Sequence, residues 1–339
     1  MELGAELYAG GGHEKIMQRD IVFLIYLNRS GSTYLANQLS ESPEIAVPPE
    51  GHGGLERLLG LLETDSSKSE RTSRLRYDLE HHRKLSAWQL DPATTADRIT
   101  KAADELEAFY DLCDAFAERH KPGAGTVLVK GRFLQQLISR YGYSGLQRGR
   151  CVRAVFLMRD PRAIFASQKK SISTRTGLPM QVNPVTAALR WRHAAKKAEA
   201  WGRHPWGMTV RYEDLVANNA ETLEEIFAFL RVEREQQGQP TARGDTSLSE
   251  LIPANQRHLH TNIKKDPITD RIHAWRNDLS TSEVEIISAI SGERLEKLYG
   301  NAAERHRLGA GAILRLVVWS FRQSARKLSK LVFGKRTPD

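Results

Sequence analysis

Cysteine is nearly absent: the 339 residues contain two, Cys113 and Cys151, and neither stands in a CxxC pair. That excludes a disulfide framework and fits a reducing compartment. The histidine pairs His81/His82 and His258/His260 have no companion cysteines and no HExxH spacing, which argues against zinc. The pattern GxxxxGK[ST] does not occur, so an ATP loop of that kind lacks its lysine. Charges interrupt the apolar stretches near the C-terminus well short of the roughly 20 residues that a spanning helix needs. The N-terminus carries Glu2, Glu6 and three glycines at 10–12, without the basic-then-apolar pattern of a secretory signal. A cytoplasmic protein is the expectation. There is no internal repeat.

What is present is a globular composition, 40% hydrophobic and 27% charged, with length enough for one large domain or two small ones. The net charge of +9 implies anionic partners, whether cofactor, glycan or membrane surface. Nothing points to nucleic acid.

Residues 21–40 organise the chain: IVFLIYL, then NRSGST, then YLANQLS. Seven apolar residues rich in β-branched and aromatic types predict a buried strand, and Leu35 and Leu39 give the stripe of a short helix. A strand, a glycine-containing turn and a helix N-terminus together form an anion site, because free backbone N–H groups and the helix dipole point into the turn. Arg29 adds a planar cation, and Ser32 and Thr33 add hydroxyls. A capped corner without a ligand would use the same serine and threonine.

Further on, Ile45-Ala46-Val47 predicts a second strand, ended by Pro48-Pro49 and delivering Glu50 and His52. Helical spacing continues over 54–63, a polar loop is expected over 64–76, and one packed helix between Thr95 and His120. Residues 126–129 read as a strand followed by Lys130. Residues 152–158 form another, which empties into Arg159-Asp160-Pro161-Arg162 and a helix from 163. A helix over 183–201 precedes a strand over 207–212 and a helix over 221–230, capped by Asn219 or Thr222. Residues 233–250 are a polar excursion, and a helix over 282–299 opens on Ser282-x-x-Glu285, a capping-box form. Alternating strands and helices predict an α/β domain with a mainly parallel sheet and ligands at the carboxyl ends of its strands.

Arg159 and Ser167 stand eight apart across the second strand-to-helix turn. They can be a salt-bridged arginine and an ordinary helix serine. With a second anion turn in the same chain, they also suit a nucleotide carrying phosphates on both sides of its ribose.

These motifs resemble those of the PAPS-dependent sulfotransferases. NRSGSTYL is similar to that family's 5′-phosphosulfate loop, and RDPRAIFAS, from Arg159 to Ser167, to its 3′-phosphate motif. RYEDLVANNAETLEEIFAFL and HTNIKKDPITDRIHAWRNDLS resemble further family stretches, so the likeness runs in order from about Ile21 to Tyr299. It is nearest to the bacterial, glycan and tyrosylprotein branches. Their loop arginine matches Arg29-Ser30-Gly31-Ser32, where the small-molecule branch has Lys-Ser-Gly-Thr. In the tyrosylprotein branch a glutamate follows at a spacing that falls on Glu50, but the arginine two positions later is His52 here, so peptide specificity does not transfer. Lys130 falls at a family lysine, although Lys130-Gly131-Arg132 departs from the usual Lys-Thr-Pro or Lys-Asp-Pro.

The resemblance implies a P-loop-NTPase-like parallel sheet with helices on both faces, in a domain over 15–305. It implies PAPS as sulfate donor without a metal, and Glu50, Arg29 and Lys130 as catalytic groups. Arg29, Ser30, Gly31, Ser32, Thr33, Arg159, Ser167, Tyr212 and Lys264 or Lys265 would hold the donor. The expected acceptor is a hydroxyl on a carbohydrate or glycolipid. The alternatives are a peptide tyrosine, a small-molecule hydroxyl, or an ATP-dependent phosphotransfer that the absent Walker lysine disfavours. Beyond the likeness, residues 306–339 read as a basic amphipathic segment. It can lie on the anionic inner face of a membrane or pack on the domain with its basic face in water.

Overall fold

The apolar run that begins at Ile21 forms the central strand of a sheet as far as Tyr26, and its alternation explains what covers it. The computed structural model describes residues 18–51, 53–63, 67–131, 134–173, 176–233, 251, 272–300, 308–314 and 316–319. Five strands, β1 (Asp20–Tyr26), β2 (Ile45–Ala46), β3 (Thr126–Lys130), β4 (Val152–Met158) and β5 (Gly207–Arg211), pair in the order β2-β3-β1-β4-β5. All pairings are parallel. Ile21, Phe23 and Ile25 enter one core with Leu55, Phe109, Phe116 and Trp191. Val22, Leu24 and Tyr26 enter the other, with Leu35 and Leu39 of helix Ser32–Ser40 and Leu223, Ile226 and Phe227 of helix Asn219–Leu230. A strand buried on both faces must be apolar throughout, which is the run seen in the sequence. The fold is α/β, a parallel sheet flanked by helices on both faces, as expected.

Several elements differ from the reading of the sequence. Of the polar stretch 64–76 expected as a loop, the part from Lys68 onward is the start of helix Lys68–His81, with Ser67 accepting the Glu70 backbone N–H at 3.3 Å. Only Leu75, Asp78 and Leu79 of that helix are buried, too few apolar positions to show a stripe in the sequence. The single helix expected between Thr95 and His120 is two, Pro92–Ile99 and Glu105–His120. Asp104 starts the second by accepting from the N–H groups of Leu106 and Glu107 at 3.1 and 3.0 Å. Residues 134–147 are helical on either side of a kink at Gly142 (φ 66°), and no element is expected there from the sequence. Neither Asn219 nor Thr222 caps its helix: the N-cap is Asn218, and Thr222 is buried inside it. The last long helix, Thr281–Tyr299, opens two residues earlier than expected, on the box Ser280/Glu283, with the Ser280 N–H donating to Glu283 at 2.9 Å. Glu285 instead accepts the Gly309 N–H at 2.9 Å.

That last bond tethers the start of the C-terminal segment. Ala312 is buried against Val185 and Ile286, whereas Leu308, Ile313, Leu314, Val317 and Val318 remain exposed. Among the described residues no helix is long and apolar enough to cross a membrane. The polar excursion at 234–250 lies outside the described residues.

Helix Lys68–His81 can be tested by truncating its buried side. Leu75 is fully buried and Tyr77 is 60% exposed, so Leu75→Ala is expected to cost about 2–5 kcal/mol and Tyr77→Ala about 0.5 or less. Equal effects in denaturant titrations would place the segment outside the core.

Candidate active site

The strand order lays the candidate residues along one edge of the sheet. At the carboxyl ends, β2 leads through buried Pro48 and Pro49 to Glu50, β3 ends in Lys130, and β1 feeds Arg29 to Thr33. β4 feeds Arg159, and β5 feeds Tyr212. From β1 the chain crosses toward β2, and from β4 it crosses toward β5. The crevice between β1 and β4 is therefore the switch point where α/β sheets bind ligands.

The turn after β1 needs unusual backbone. Arg29 and Gly31 both have positive φ, 75° and 92°, and Gly31 is the N-cap of helix Ser32–Ser40. A Cβ on Gly31 would lie 2.4 Å from the Tyr212 ring, so conformation and contact both demand glycine. Ser30 is fully buried, and its hydroxyl has no hydrogen-bond partner among the described residues. The first turn of the helix carries no acidic residue. An unsatisfied buried hydroxyl beside open helix N–H groups fits an anion with acceptor oxygens.

The two turns interlock. Arg29 Nε donates to Ser167 Oγ at 3.1 Å, and Arg159 Nη1 donates to the Arg29 carbonyl at 3.0 Å. Gln168 Nε2 donates to the Asn28 carbonyl at 2.9 Å. Arg159, 9% exposed, places its guanidinium carbon 4.2 Å from the centre of the Tyr212 ring, a cation–π distance. The family resemblance assigns Arg29 to the 5′-phosphosulfate and Arg159 with Ser167 to the 3′-phosphate. The structure joins all three in one cluster. Asp160 caps helix Pro161–Lys170 by accepting the Arg162 N–H at 2.8 Å, and it pairs with the Arg162 side chain at 2.6 Å. Arg162 is fully buried over Trp275 and Trp191 donates to the Arg159 carbonyl, so both tryptophans support the turn from below.

On the β3 side, buried Lys130 donates to Thr33 Oγ1 at 3.2 Å. Burial pushes its amine down to about 8, opposed by nearby Glu50 and assisted by Lys84. Lys84 Nζ lies 3.7 Å from Glu50 Oε2. Lys84 carries no sequence signal, being one lysine in a polar stretch. Glu213, which accepts the Asp160 backbone N–H at 3.0 Å, was equally hidden inside the Tyr-Glu-Asp stretch. Lys264, Lys265 and His52 lie outside the described residues. Among the described residues no group of three or more His, Cys, Asp or Glu could hold a metal ion.

An α/β crevice with two interlocked cationic turns is chemically suited to an anionic group. Residues 152–236, which span β4, the Arg159 turn and Tyr212, match a family described as the sulfotransferase family. Among solved structures, a sulfotransferase domain from the curacin biosynthetic pathway is 18% identical with a TM-score of 0.51, over 86% of this chain and 99% of its own. The sulfotransferase domain of the olefin synthase from Synechococcus PCC 7002 is 18% identical with a TM-score of 0.48, over 81% and 95%. Among curated proteins none matches the chain in sequence. The sulfotransferase resemblance read in the motifs is thereby borne out, in sequence over 152–236 and in fold over most of the chain.

Lys130 makes the site's electrostatics measurable. The folded chain releases this proton near pH 8 and the unfolded chain near 10.5. Between the two the unfolded state binds more protons, so wild-type stability gains with rising pH. Lys130→Met, which has no charge to bury, should be more stable than wild type at pH 7, by on the order of 2–3 kcal/mol. That advantage should shrink toward pH 10. A difference that does not change with pH in denaturant titrations would show that Lys130 is not held as a buried cation.

Proposed function

We propose that the chain transfers a sulfuryl group from PAPS to an acceptor hydroxyl, with a carbohydrate or glycolipid as acceptor. The observation that carries this reading is the lacing of Arg29, Ser167 and Arg159 across the switch point, which fits a nucleotide phosphorylated at both ends of its ribose. Bound PAPS would supply an activated sulfuryl group on a good leaving phosphate. The residues present fit it: Ser30 offers an unsatisfied hydroxyl, the turn 29–33 offers N–H groups, and Arg159 and Ser167 address the 3′ end.

Each side chain then has a task that positioning and charge can perform. Glu50, at the end of β2, takes the proton of the acceptor hydroxyl. Lys130 and Arg29 neutralise charge that builds on the leaving phosphate, and an anion beside Lys130 favours its protonated form. Ser32 and Thr33 add donors at the helix N-terminus, and Tyr212 backs Arg159. Lys264 or Lys265 would close over the nucleotide. The catalytic domain spans 15–305, and the protein works in the cytoplasm.

Glu50→Gln keeps the shape of the side chain but cannot accept a proton. With radiolabelled PAPS and a panel of glycan, glycolipid, peptide and small-molecule hydroxyls, this variant should bind donor normally yet lose on the order of 10²–10⁴-fold in kcat. Full turnover in the variant would remove Glu50 as the base, and a panel in which only non-carbohydrates are sulfated would refute the acceptor assignment.

A second reading concerns residues 306–339 and rests on exposed Leu308, Ile313, Leu314, Val317 and Val318, next to a sequence holding Arg322, Arg326, Lys327 and Lys330. Apolar groups beside cations suit an anionic membrane face. The full chain should co-sediment with phosphatidylserine vesicles in low salt, and a chain ending at Trp319 should not. Full-length protein that stays in the supernatant would rule the contact out.

A further inference from the structure

We propose that Glu213 is a positioning residue for the 3′-phosphate end of the site. It fixes the peptide unit that aims Arg159 and so sets the preference for a 3′-phosphorylated nucleotide. The inference rests on the bisphosphate reading above. Its basis is one peptide group held at both ends. The Arg159 carbonyl accepts from Trp191 Nε1 at 2.8 Å, and the Asp160 N–H of the same peptide donates to Glu213 Oε1 at 3.0 Å. With both ends bonded the plane cannot rotate, and the direction in which Arg159 leaves the turn is set. Asp160 is buried, so without Glu213 its N–H would be left unsatisfied, a state that folded proteins avoid.

The neighbouring residue completes the arrangement. Tyr212 lies against the Arg159 guanidinium, so the end of β5 holds Arg159 by its side chain and, through Glu213, by its backbone. Glu213 is itself backed by Tyr299, from the last turn of helix Thr281–Tyr299. The two face each other without a hydrogen bond of normal geometry. Burial, with Glu213 beside it, raises the Tyr299 hydroxyl well above its usual range. Arg211, whose guanidinium lies 5.5 Å from the Tyr299 ring centre, donates to the Leu298 carbonyl at 2.8 Å and closes the packing. Burial also raises the Glu213 carboxyl, and in either protonation state it offers an acceptor oxygen to the Asp160 N–H.

A glutamine can make the same bond, and a leucine cannot. The test is calorimetry with two ligands, adenosine 3′,5′-bisphosphate and adenosine 5′-monophosphate, on wild type, Glu213→Gln, Glu213→Leu and Trp191→Phe. Trp191→Phe frees the other end of the same peptide and covers the case in which Glu213→Leu fails to fold. The wild type should prefer the bisphosphate, and Glu213→Gln should keep that preference. Glu213→Leu and Trp191→Phe should each lose about tenfold of it, with monophosphate affinity within about twofold of wild type. A preference unchanged in Glu213→Leu or, if that protein is unfolded, in Trp191→Phe overturns the inference. So does an equal weakening of both ligands, the signature of general damage, or a glutamine variant that loses the preference. A wild type with no preference overturns the bisphosphate reading itself.

Discussion

The cleft depends on the bond between two turns that lie 130 residues apart in sequence: Arg159 donating to the carbonyl of Arg29. That bond requires Arg29 to sit in the left-handed region, so that its carbonyl faces β4 while its side chain runs to Ser167. Left-handed backbone is costly for arginine and persists only where surroundings impose it. Here they do, because Gly31 must let the Tyr212 ring approach and Tyr212 must lie against Arg159. The loop after β1, the turn after β4 and the end of β5 thus constrain one another.

Buried cations would ordinarily weigh against folding. Lys130 bears that cost openly: burial lowers its amine to about 8 although Glu50 is nearby, and its hydrogen bond goes to the Thr33 hydroxyl. Arg159 leans on an aromatic face and a carbonyl. A site arranged in this way is preorganised for negative charge, and an arriving anion recovers part of what desolvation took. Arg162 shows the contrasting structural use. It too is buried, but it is neutralised by Asp160 and stacked on Trp275.

Much of this was legible because the strands sit in the centre of the sheet. β1 and β4 are buried on both faces, so beyond Asp20 and, in β4, Arg153 their sequences are apolar, and each is followed closely by its polar turn. Even the two-residue strand β2 was visible, since Pro48-Pro49 ends it. Surface helices were harder. Lys68–His81 buries two leucines in fourteen residues, and helix Glu105–His120 begins at an aspartate that the apolar spacing around it ignored. In the cleft, the residue types were legible and their pairings were not. That Arg29 reaches Ser167, that Lys84 stands beside Glu50, and that Glu213 holds a backbone amide are products of tertiary packing alone.

The central claim is that the two turns form a single site for a nucleotide phosphorylated at the 3′ position. Calorimetric titration of the wild-type protein with adenosine 3′,5′-bisphosphate and with its 2′,5′ isomer tests it most directly, since the two differ only in where one phosphate sits. The account predicts that moving the phosphate away from Arg159 and Ser167 weakens binding by about tenfold or more, the worth of one charged hydrogen bond. Equal affinity for the two isomers would contradict it.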